Sequence, residues 1–374
     1  MSILLCISFV YACFTGVLVV GWFRMEQFQL NPATLITTRV TVIIPARNEA
    51  NTLPFLLQDI NNQDFPREYL EVLVMNDAST DQTAEVVEGL KSSVNYQLRL
   101  VNVDTSLSNS PKKRAITQGI SLTSSDLIIT TDADCRVGVY WLRVMVQYYQ
   151  TYSPKLISAP VTFVDDSRLF TSLQIVEFAS LVGSGAVSMF LQKPSMCNGA
   201  NLAYTKKAFE EVGGFEGSEL LASGDDEFLM HKIFQRFPEK VLFLKSKEAI
   251  VKTSSQLTLH SFVQQRKRWA SKWRNYQNWQ VTALAIFIFC VNFGLIVGLI
   301  GTMIGYFSWP AFVWQICLKG LLEILFLQVV LRFLGHGSIS WWIPITQLIY
   351  PFYVSFLGLL AQKKGYEWKG RRLN

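Results

Sequence analysis

The run Val281–Tyr306 contains no aspartate, glutamate, lysine or arginine. An uncharged stretch of this length does not suit the surface of a water-soluble domain. It suits a hydrocarbon core about 30 Å thick, which roughly 20 helical residues cross with every backbone group satisfied internally. Ile3–Phe23, Trp309–Leu331 and Trp341–Ala361 are similarly apolar, with Lys319 and Glu323 inside the second of these. Between the first run and the others, Arg24–Gln280 reads as an ordinary water-soluble domain. The whole chain of 374 residues is 50% hydrophobic and 17% charged. This uneven split implies a membrane-anchored protein: an anchor over 1–23, a cytoplasmic α/β domain over 24–256, an interfacial helix over 257–280, membrane helices over 281–362 and a basic tail over 363–374.

Met1–Phe23 lacks a basic start and is followed, not preceded, by Arg24, so it reads as a retained anchor and not a cleaved signal. Arg24 and the basic cluster Arg266–Arg274 put the aqueous domain on the cytoplasmic side. The formal charge of +6 has the same origin, because these residues lie beside apolar runs where anionic headgroups are found. Membrane lipids are therefore expected partners and nucleic acid is not. The basic tail conflicts with three further spans after the anchor. The expected resolution is that Trp309–Leu331 forms a bent or re-entrant element. Six cysteines without CxxC spacing and three histidines argue against a disulfide framework, structural zinc or a histidine-rich metal site.

Within the aqueous domain, Val40–Ile44, Leu70–Met75, Leu98–Val103 and Leu127–Thr131 are short apolar runs that suit buried parallel strands. Pro45 is expected to end the first. Helices are expected after Asn48–Glu49, over Thr83–Leu90 with Asp81 as N-cap, and from Pro111 to Ile120. Strand and helix alternating at this spacing predict a doubly wound α/β sheet, with ligands beyond the carboxyl ends of the strands. Pro45–Glu49, Asn76–Ser79 and Asp132–Asp134 all lie at such ends. No GxGxxG or P-loop follows the first strand.

The fourth strand runs into Asp132 and Asp134, which share a side if the chain stays extended. Two adjacent carboxylates suit a hard cation such as Mg²⁺ or Mn²⁺, which keeps other positions for water and phosphate; a solvated turn is the plainer alternative. Leu156–Val164 reads as another strand. Leu169–Leu191 is apolar except for Glu177 and is weakened by Gly183 and Gly185; a helix lying against the bilayer or under the soluble domain is preferred over a full crossing. Asp225, Asp226 and Glu227 precede an apolar-periodic stretch. Either they complement a helix N-terminus or one of them is a base. Leu257–Trp279 interleaves Arg266, Lys267 and Arg268 with Trp269, Trp273, Tyr276 and Trp279, as an interfacial helix does.

In order, VIIPARNE (42–49), NDASTD (76–81), DAD (132–134), NGANLAY and GGF (198–215), GDDE (224–227) and QRKRW (265–269) resemble the membrane-embedded family 2 glycosyltransferases. That resemblance implies a GT-A fold with a mostly parallel sheet, and an inverting transfer from a nucleotide-sugar, with UDP-hexose the expected donor. It implies that Asp77 binds the base or ribose near Pro45 and Glu49, and that Lys113 lies near the nucleotide. Asp132 and Asp134 would hold nucleotide-sugar and Mg²⁺ or Mn²⁺, with Asp134 the more direct ligand. Asp226 would be the general base, with Asp225 as the alternative. Gln265, Arg268 and Trp269 would close over diphosphate and acceptor, with Asn198 on the acceptor side. Two departures stand out: Asn76 replaces a common aspartate, and the acid pair is Asp225-Asp226 where Glu-Asp is commoner.

The few apolar runs and the C-terminal Trp368-Lys369-Gly370-Arg371 resemble the ceramide glucosyltransferase and bacterial lipid glycosyltransferase branch, which implies a lipid acceptor and a bacterial inner membrane. A processive polysaccharide synthase is the alternative within the family. A silent membrane scaffold and a nucleotidyl or phosphosugar transferase are alternatives outside it.

Overall fold

The computed structural model describes residues 1–104, 110–218, 223–271, 279–360, 366–368 and 371–373. The chain opens with α1 (Ser2–Arg24), β1 (Val40–Ala46), α2 (Leu53–Asn61), β2 (Leu70–Asn76), α3 (Thr83–Leu90), β3 (Gln97–Asn102), α4 (Pro111–Leu122) and β4 (Leu127–Thr130). It continues with β5 (Arg136–Val137), α5 (Trp141–Tyr152), β6 (Leu156–Ser158), β7 (Val161–Phe163), α6 (Leu169–Phe190), β8 (Leu202–Thr205), α7 (Lys206–Glu211) and α8 (Asp225–Arg236). Then come β9 (Val241–Phe243), β10 (Val251–Thr253), α9 (Leu259–Ser271), α10 (Trp279–Met303), α11 (Trp309–Phe333), α12 (Ile343–Leu360) and the two-stranded sheet of β11 (Tyr366–Trp368) and β12 (Arg371–Leu373). Two compact units result. One combines Met1–Met25, Asp165–Val187 and Gln256–Glu367; the other combines Glu26–Val164, Ser188–Ser255 and Trp368–Asn374.

The second unit is built on a seven-stranded sheet in the order β3-β2-β1-β4-β8-β6-β9. β3, β2, β1 and β4 are mutually parallel, β8 runs against both neighbours, and β6 and β9 are parallel. Val40, Val42, Ile43 and Ile44 in β1, and Val72, Leu73, Val74 and Met75 in β2, are fully buried. A strand covered on both faces needs such a continuous apolar run. The chain moves from β1 to β2 to β3 in one direction and returns to place β4 on the other side of β1. The carboxyl ends of β1 and β4 therefore flank the point where the strand order reverses, where a crevice opens. A smaller sheet, β5-β10-β7, completes the unit.

Two sequence expectations change. Pro45 lies inside β1, opposite Met75 of β2. The β1–β4 ladder ends at Ile43–Thr130, so beyond it one side of β1 is already an edge and a missing N–H costs no ladder bond there. Leu156–Val164 forms two strands, because Pro160 turns the chain between β6 in the large sheet and β7 in the small one.

The other unit is helical. Among the described residues, four segments, α1, α6, α10 and Gly337–Leu359, are long and apolar enough to cross a membrane. Ile286, Phe293, Val297 and Ile300 leave an apolar face of α10 exposed, as lipid contact requires. Leu169–Phe190 is helical throughout, residues 169–187 belong to this unit, and most of its apolar length is buried. Gly183 does not break it. A Cβ there would meet Val330 at 2.7 Å and Phe326 at 2.8 Å, so the missing side chain lets α11 approach.

The expected bend in Trp309–Leu331 is also absent, since Trp309–Phe333 is one uninterrupted helix. Its charges are neutralised internally. Lys319 lies 2.9 Å from Glu323 one turn on, and both side chains are at least nine-tenths buried. Tyr11 of α1 donates to Glu323 at 2.9 Å, and Gln347 of α12 donates to it at 3.0 Å while accepting from Lys319. Breaking such a pair leaves an uncompensated buried charge, whereas replacing both members with apolar groups is often neutral. Lys319→Leu is accordingly expected to destabilise the detergent-solubilised protein by about 3–5 kcal/mol. Lys319→Leu/Glu323→Met should recover most of the loss; equal melting temperatures for the wild type and Lys319→Leu would refute this.

Candidate active site

The loops after β1 and β2 are tied together. Asp77 N donates to Ala46 O at 2.9 Å, and Arg47 Nη1 donates to the carbonyls of Asp77 and Ala78, each at 2.7 Å. Asn48 N donates to Ser79 Oγ at 3.1 Å, and Thr80 N donates to Asn48 Oδ1 at 2.8 Å. Glu49, buried, donates its N–H to Thr83 Oγ1 at 2.8 Å. Asn48 and Ala78 hold φ of 55° and 51°. An alanine in the left-handed region costs about 1–2 kcal/mol, and strain of this kind concentrates at functional loops. Asp81 accepts from Thr83 N at 3.0 Å and Ala50 N at 3.1 Å, so it staples the loops, but it stands one residue before Gln82, which holds the N-cap position of α3 expected for Asp81.

Asp77 lies at the floor of this pair of loops. Arg114 of α4 donates to its carboxylate through Nε, at 3.1 Å, and Nη2, with both side chains buried. Asn76 donates to Asn102 Oδ1 at 2.8 Å and accepts from Ser79 N at 3.2 Å. An ionised aspartate could take the second bond but not make the first.

The acids meet one level across. Lys112 Nζ lies 2.7 Å from Asp132 Oδ1 and 3.3 Å from Asp225 Oδ2. Burial alone would push this ammonium down. The carboxylates of Asp132, Asp225 and Asp226 outweigh burial and hold it above its usual range, so it is a cation at every physiological pH. Asp225 and Asp226 open α8 behind Gly224, whose φ is 85°. Gly199 N donates to Asp226 Oδ2 at 3.0 Å and Glu227 N to Asp226 Oδ1 at 2.8 Å. A Cβ on Gly199 would lie 3.0 Å from both Asp225 Oδ2 and Lys112 Nζ, so glycine is what lets the 198–201 turn press against the cluster. Asn198 shapes that turn by accepting from Ala200 N at 2.9 Å. Asp134 accepts from Thr253 at 3.2 Å.

Does this arrangement fit a divalent cation? Among the described residues, no three Asp, Glu, His or Cys side chains form a closed metal cage. Asp132 and Asp134 offer hard oxygens, and the Lys112 ammonium already occupies a cationic position against Asp132. This donor set fits Mg²⁺ or Mn²⁺ of the kind held by one or two carboxylates and completed by phosphate oxygens.

Lys113, singled out by the sequence resemblance, donates to Ser218 O at 2.6 Å and lies 5.2 Å from the centre of the Phe228 ring. Its neighbour Lys112 is the lysine at the acids, and the sequence reading does not single it out. Nor does it single out Arg114, Arg47 or Gly199. Pro45, Glu49, Asp77, Asp132, Asp134, Asn198, Asp225 and Asp226 all belong to the α/β unit, whereas Gln265, Arg268 and Trp269 lie on α9 of the helical unit. There Arg266 donates to Gln265 Oε1, Arg268 is partly buried, and Trp269 stacks with Phe178 at 5.8 Å. Trp273, Tyr276, Lys369 and Gly370 lie outside the described residues.

Residues 41–213 match the family described as Glycosyl transferase family 2. The chain is 24% identical over 190 residues to the probable glycosyltransferase YdaM of Bacillus subtilis (strain 168), covering 49% of this chain and 44% of that one. It is 24% identical over 201 residues to the poly-beta-1,6-N-acetyl-D-glucosamine synthase of Staphylococcus epidermidis, covering 51% and 47%. The chain thus spans less than half the length of each of these curated relatives. Among solved structures, mannosyltransferase PcManGT from Pyrobaculum calidifontis, in complex with GDP-Man and Mn²⁺, is similar over 94% of this chain and 99% of that one, with a TM-score of 0.58 at 19% identity. That likeness is one of fold, and it agrees with the expected GT-A-like α/β class.

The helix that carries the acid pair also carries a pH-sensitive group. Burial lowers the His231 imidazole from its usual range to about 4. Between about pH 6.5 and 4 the unfolded chain takes up a proton that the folded chain refuses, so stability falls as pH falls through this window and levels off below it. The gap is worth on the order of 3 kcal/mol. Thermal melts of the wild type and His231→Asn between pH 7 and 4 should show a shallower decline for the variant; parallel curves would contradict this.

Proposed function

From the premise that residues 41–213 carry a family 2 glycosyltransferase domain, we propose that the protein is an inverting hexosyltransferase that moves a sugar from a nucleotide-sugar to a membrane lipid. The observation that carries the reading is the Lys112 ammonium, which joins Asp132 after β4 to Asp225 at the start of α8 in one cluster. A donor-side carboxylate and an acid pair able to take a proton are then neighbours. The nucleotide lies along the Pro45–Glu49 and Asp77 loops, and Asp132 and Asp134 face its diphosphate. The acceptor hydroxyl attacks the anomeric carbon, the bond to the diphosphate breaks, and the hydroxyl proton passes to Asp226, or to Asp225 if the acceptor approaches from the Lys112 side. Asp132 and Asp134 would hold Mg²⁺ or Mn²⁺, which would offset the charge gained by the leaving diphosphate. Lys112 adds a second positive charge on the same side. In this reading Gln265, Arg268 and Trp269 serve the diphosphate and the acceptor, and the domain faces the cytoplasm at a bacterial inner membrane. The Pyrobaculum neighbour, named for its GDP-Man and Mn²⁺, supports a nucleotide-sugar donor and a divalent cation. The donor in this reading is a UDP-hexose, and a panel of UDP- and GDP-sugars tests that choice.

A processive polysaccharide synthase is the second reading, favoured by the relatives named as poly-beta-1,6-N-acetyl-D-glucosamine synthases.

With membranes supplied with a metal and labelled nucleotide-sugar, Asp226→Asn should lower turnover by roughly 10²–10⁴-fold, and Lys112→Met by about 10²-fold. If Asp226→Asn stays within a few-fold of wild type while Asp225→Asn abolishes turnover, the base is Asp225; if neither variant loses tenfold, acid–base catalysis by this pair fails.

Label from the same reaction is expected in the organic phase after extraction with total lipid. Water-soluble polymer without glycolipid would overturn the lipid acceptor in favour of the second reading.

A further inference from the structure

Arg266, the second residue of QRKRW, is the deeply buried member of that motif. Its Nε donates to Glu177 Oε1 at 3.0 Å and its Nη2 donates to Glu177 Oε2, a two-pronged pairing that the planar guanidinium makes and an ammonium does not. Glu177 is the one charged residue of Leu169–Phe190. Tyr353 of α12 donates to the same Oε1 at 2.9 Å, so α6, α9 and α12 meet on this carboxylate.

The guanidinium has a second set of contacts. It lies 4.5 Å from the ring centre of Phe262 and 4.2 Å from that of Trp269, its neighbours one turn before and one turn after on α9. The Trp269 ring also packs at 5.8 Å against Phe178, the residue after Glu177. The indole is thus fixed by Arg266, which Glu177 holds, and by Phe178 from the same helix. Part of Trp269 remains exposed. A buried ion pair is a poor device for stability alone, because well-packed apolar residues hold helices as well or better. It does set orientation, since a carboxylate and a guanidinium pair in a narrow range of geometries.

We propose that Glu177 is a positioning residue for the sugar transfer: through Arg266 it sets the orientation of the Trp269 indole against the acceptor. This rests on the reading of Trp269 as an acceptor-side residue given above. The donor half of the reaction does not depend on it. Loss of Glu177 therefore uncouples the two halves, and the activated sugar goes to water in place of the acceptor.

The test measures the ratio of transferred to hydrolysed sugar in the full-length protein in detergent, with labelled nucleotide-sugar and total lipid extract as the probe, counting lipid-soluble and polymeric product together. Glu177→Gln and Arg266→Lys are expected to lower this ratio at least tenfold, and Trp269→Ala at least as much. Glu177→Asp should recover part of it, and it supplies the measurement if Glu177→Gln does not fold. A merely structural role lowers transfer and hydrolysis in parallel and leaves the ratio unchanged. A parallel loss in Glu177→Gln beside a changed ratio in Trp269→Ala would overturn this inference alone. An unchanged ratio in Trp269→Ala would overturn the acceptor role of Trp269 and this inference with it.

Discussion

The candidate site rests on a cation held among carboxylates. Asp132 follows one strand and Asp225 begins a helix far along the chain, yet Lys112 Nζ is within 3.3 Å of both. Asp132 is more than a third exposed, so solvent screens its pairing and holds it to roughly 0–1 kcal/mol. The cation matters because it lets carboxylates of like charge gather that would otherwise repel one another. With it, the loops are drawn together before any substrate arrives, and the gap at Gly199 lets a third segment close against them. The supporting geometry follows. α4 carries Lys112 and Arg114 to the ends of the strands, and Arg114 fixes Asp77 as Lys112 fixes Asp132.

Much of the α/β unit was legible, because buried parallel strands leave an unambiguous trace. VTVII and LEVLVM are apolar at successive positions, and both are central strands. The acids at strand ends were legible for the same reason: charge after such a run has to lie at the sheet's edge. What escaped was governed by pairing partners. The chemistry of Pro45 by itself predicts a stop, but the length of β4 decides whether that missing N–H matters. Intrinsic propensity sets Gly183 and Gly185 against a helix, but the neighbour that Gly183 admits outweighs the cost.

The lysines show the limit most sharply. Lys112, Lys113 and Arg114 are consecutive on a helix, where each step turns the side chain by about 100°. Composition cannot say which of the three faces the acids. The helix phase can, and it sends Lys112 to Asp132, Lys113 to Ser218 and Arg114 to Asp77. Asn76 is a related case. Read against the family it is a lost carboxylate; in place it is an amide that both donates to Asn102 and accepts from Ser79. It thus ties β3 to the loop that carries Asp77.

α11 has an implication for how the protein is made. Its 25 residues extend about 37 Å at 1.5 Å per residue, and Lys319 and Glu323 lie near its middle. Because the two are one turn apart on the same helix, each brings its counter-ion with it. Such a segment buries a local dipole and not two separate ions, and it needs no companion helix to balance its charge. Tyr11 and Gln347 add neutral hydrogen bonds to a pair already compensated within one helix, so the pair imposes no order on how the helices come together while still marking the correct partners.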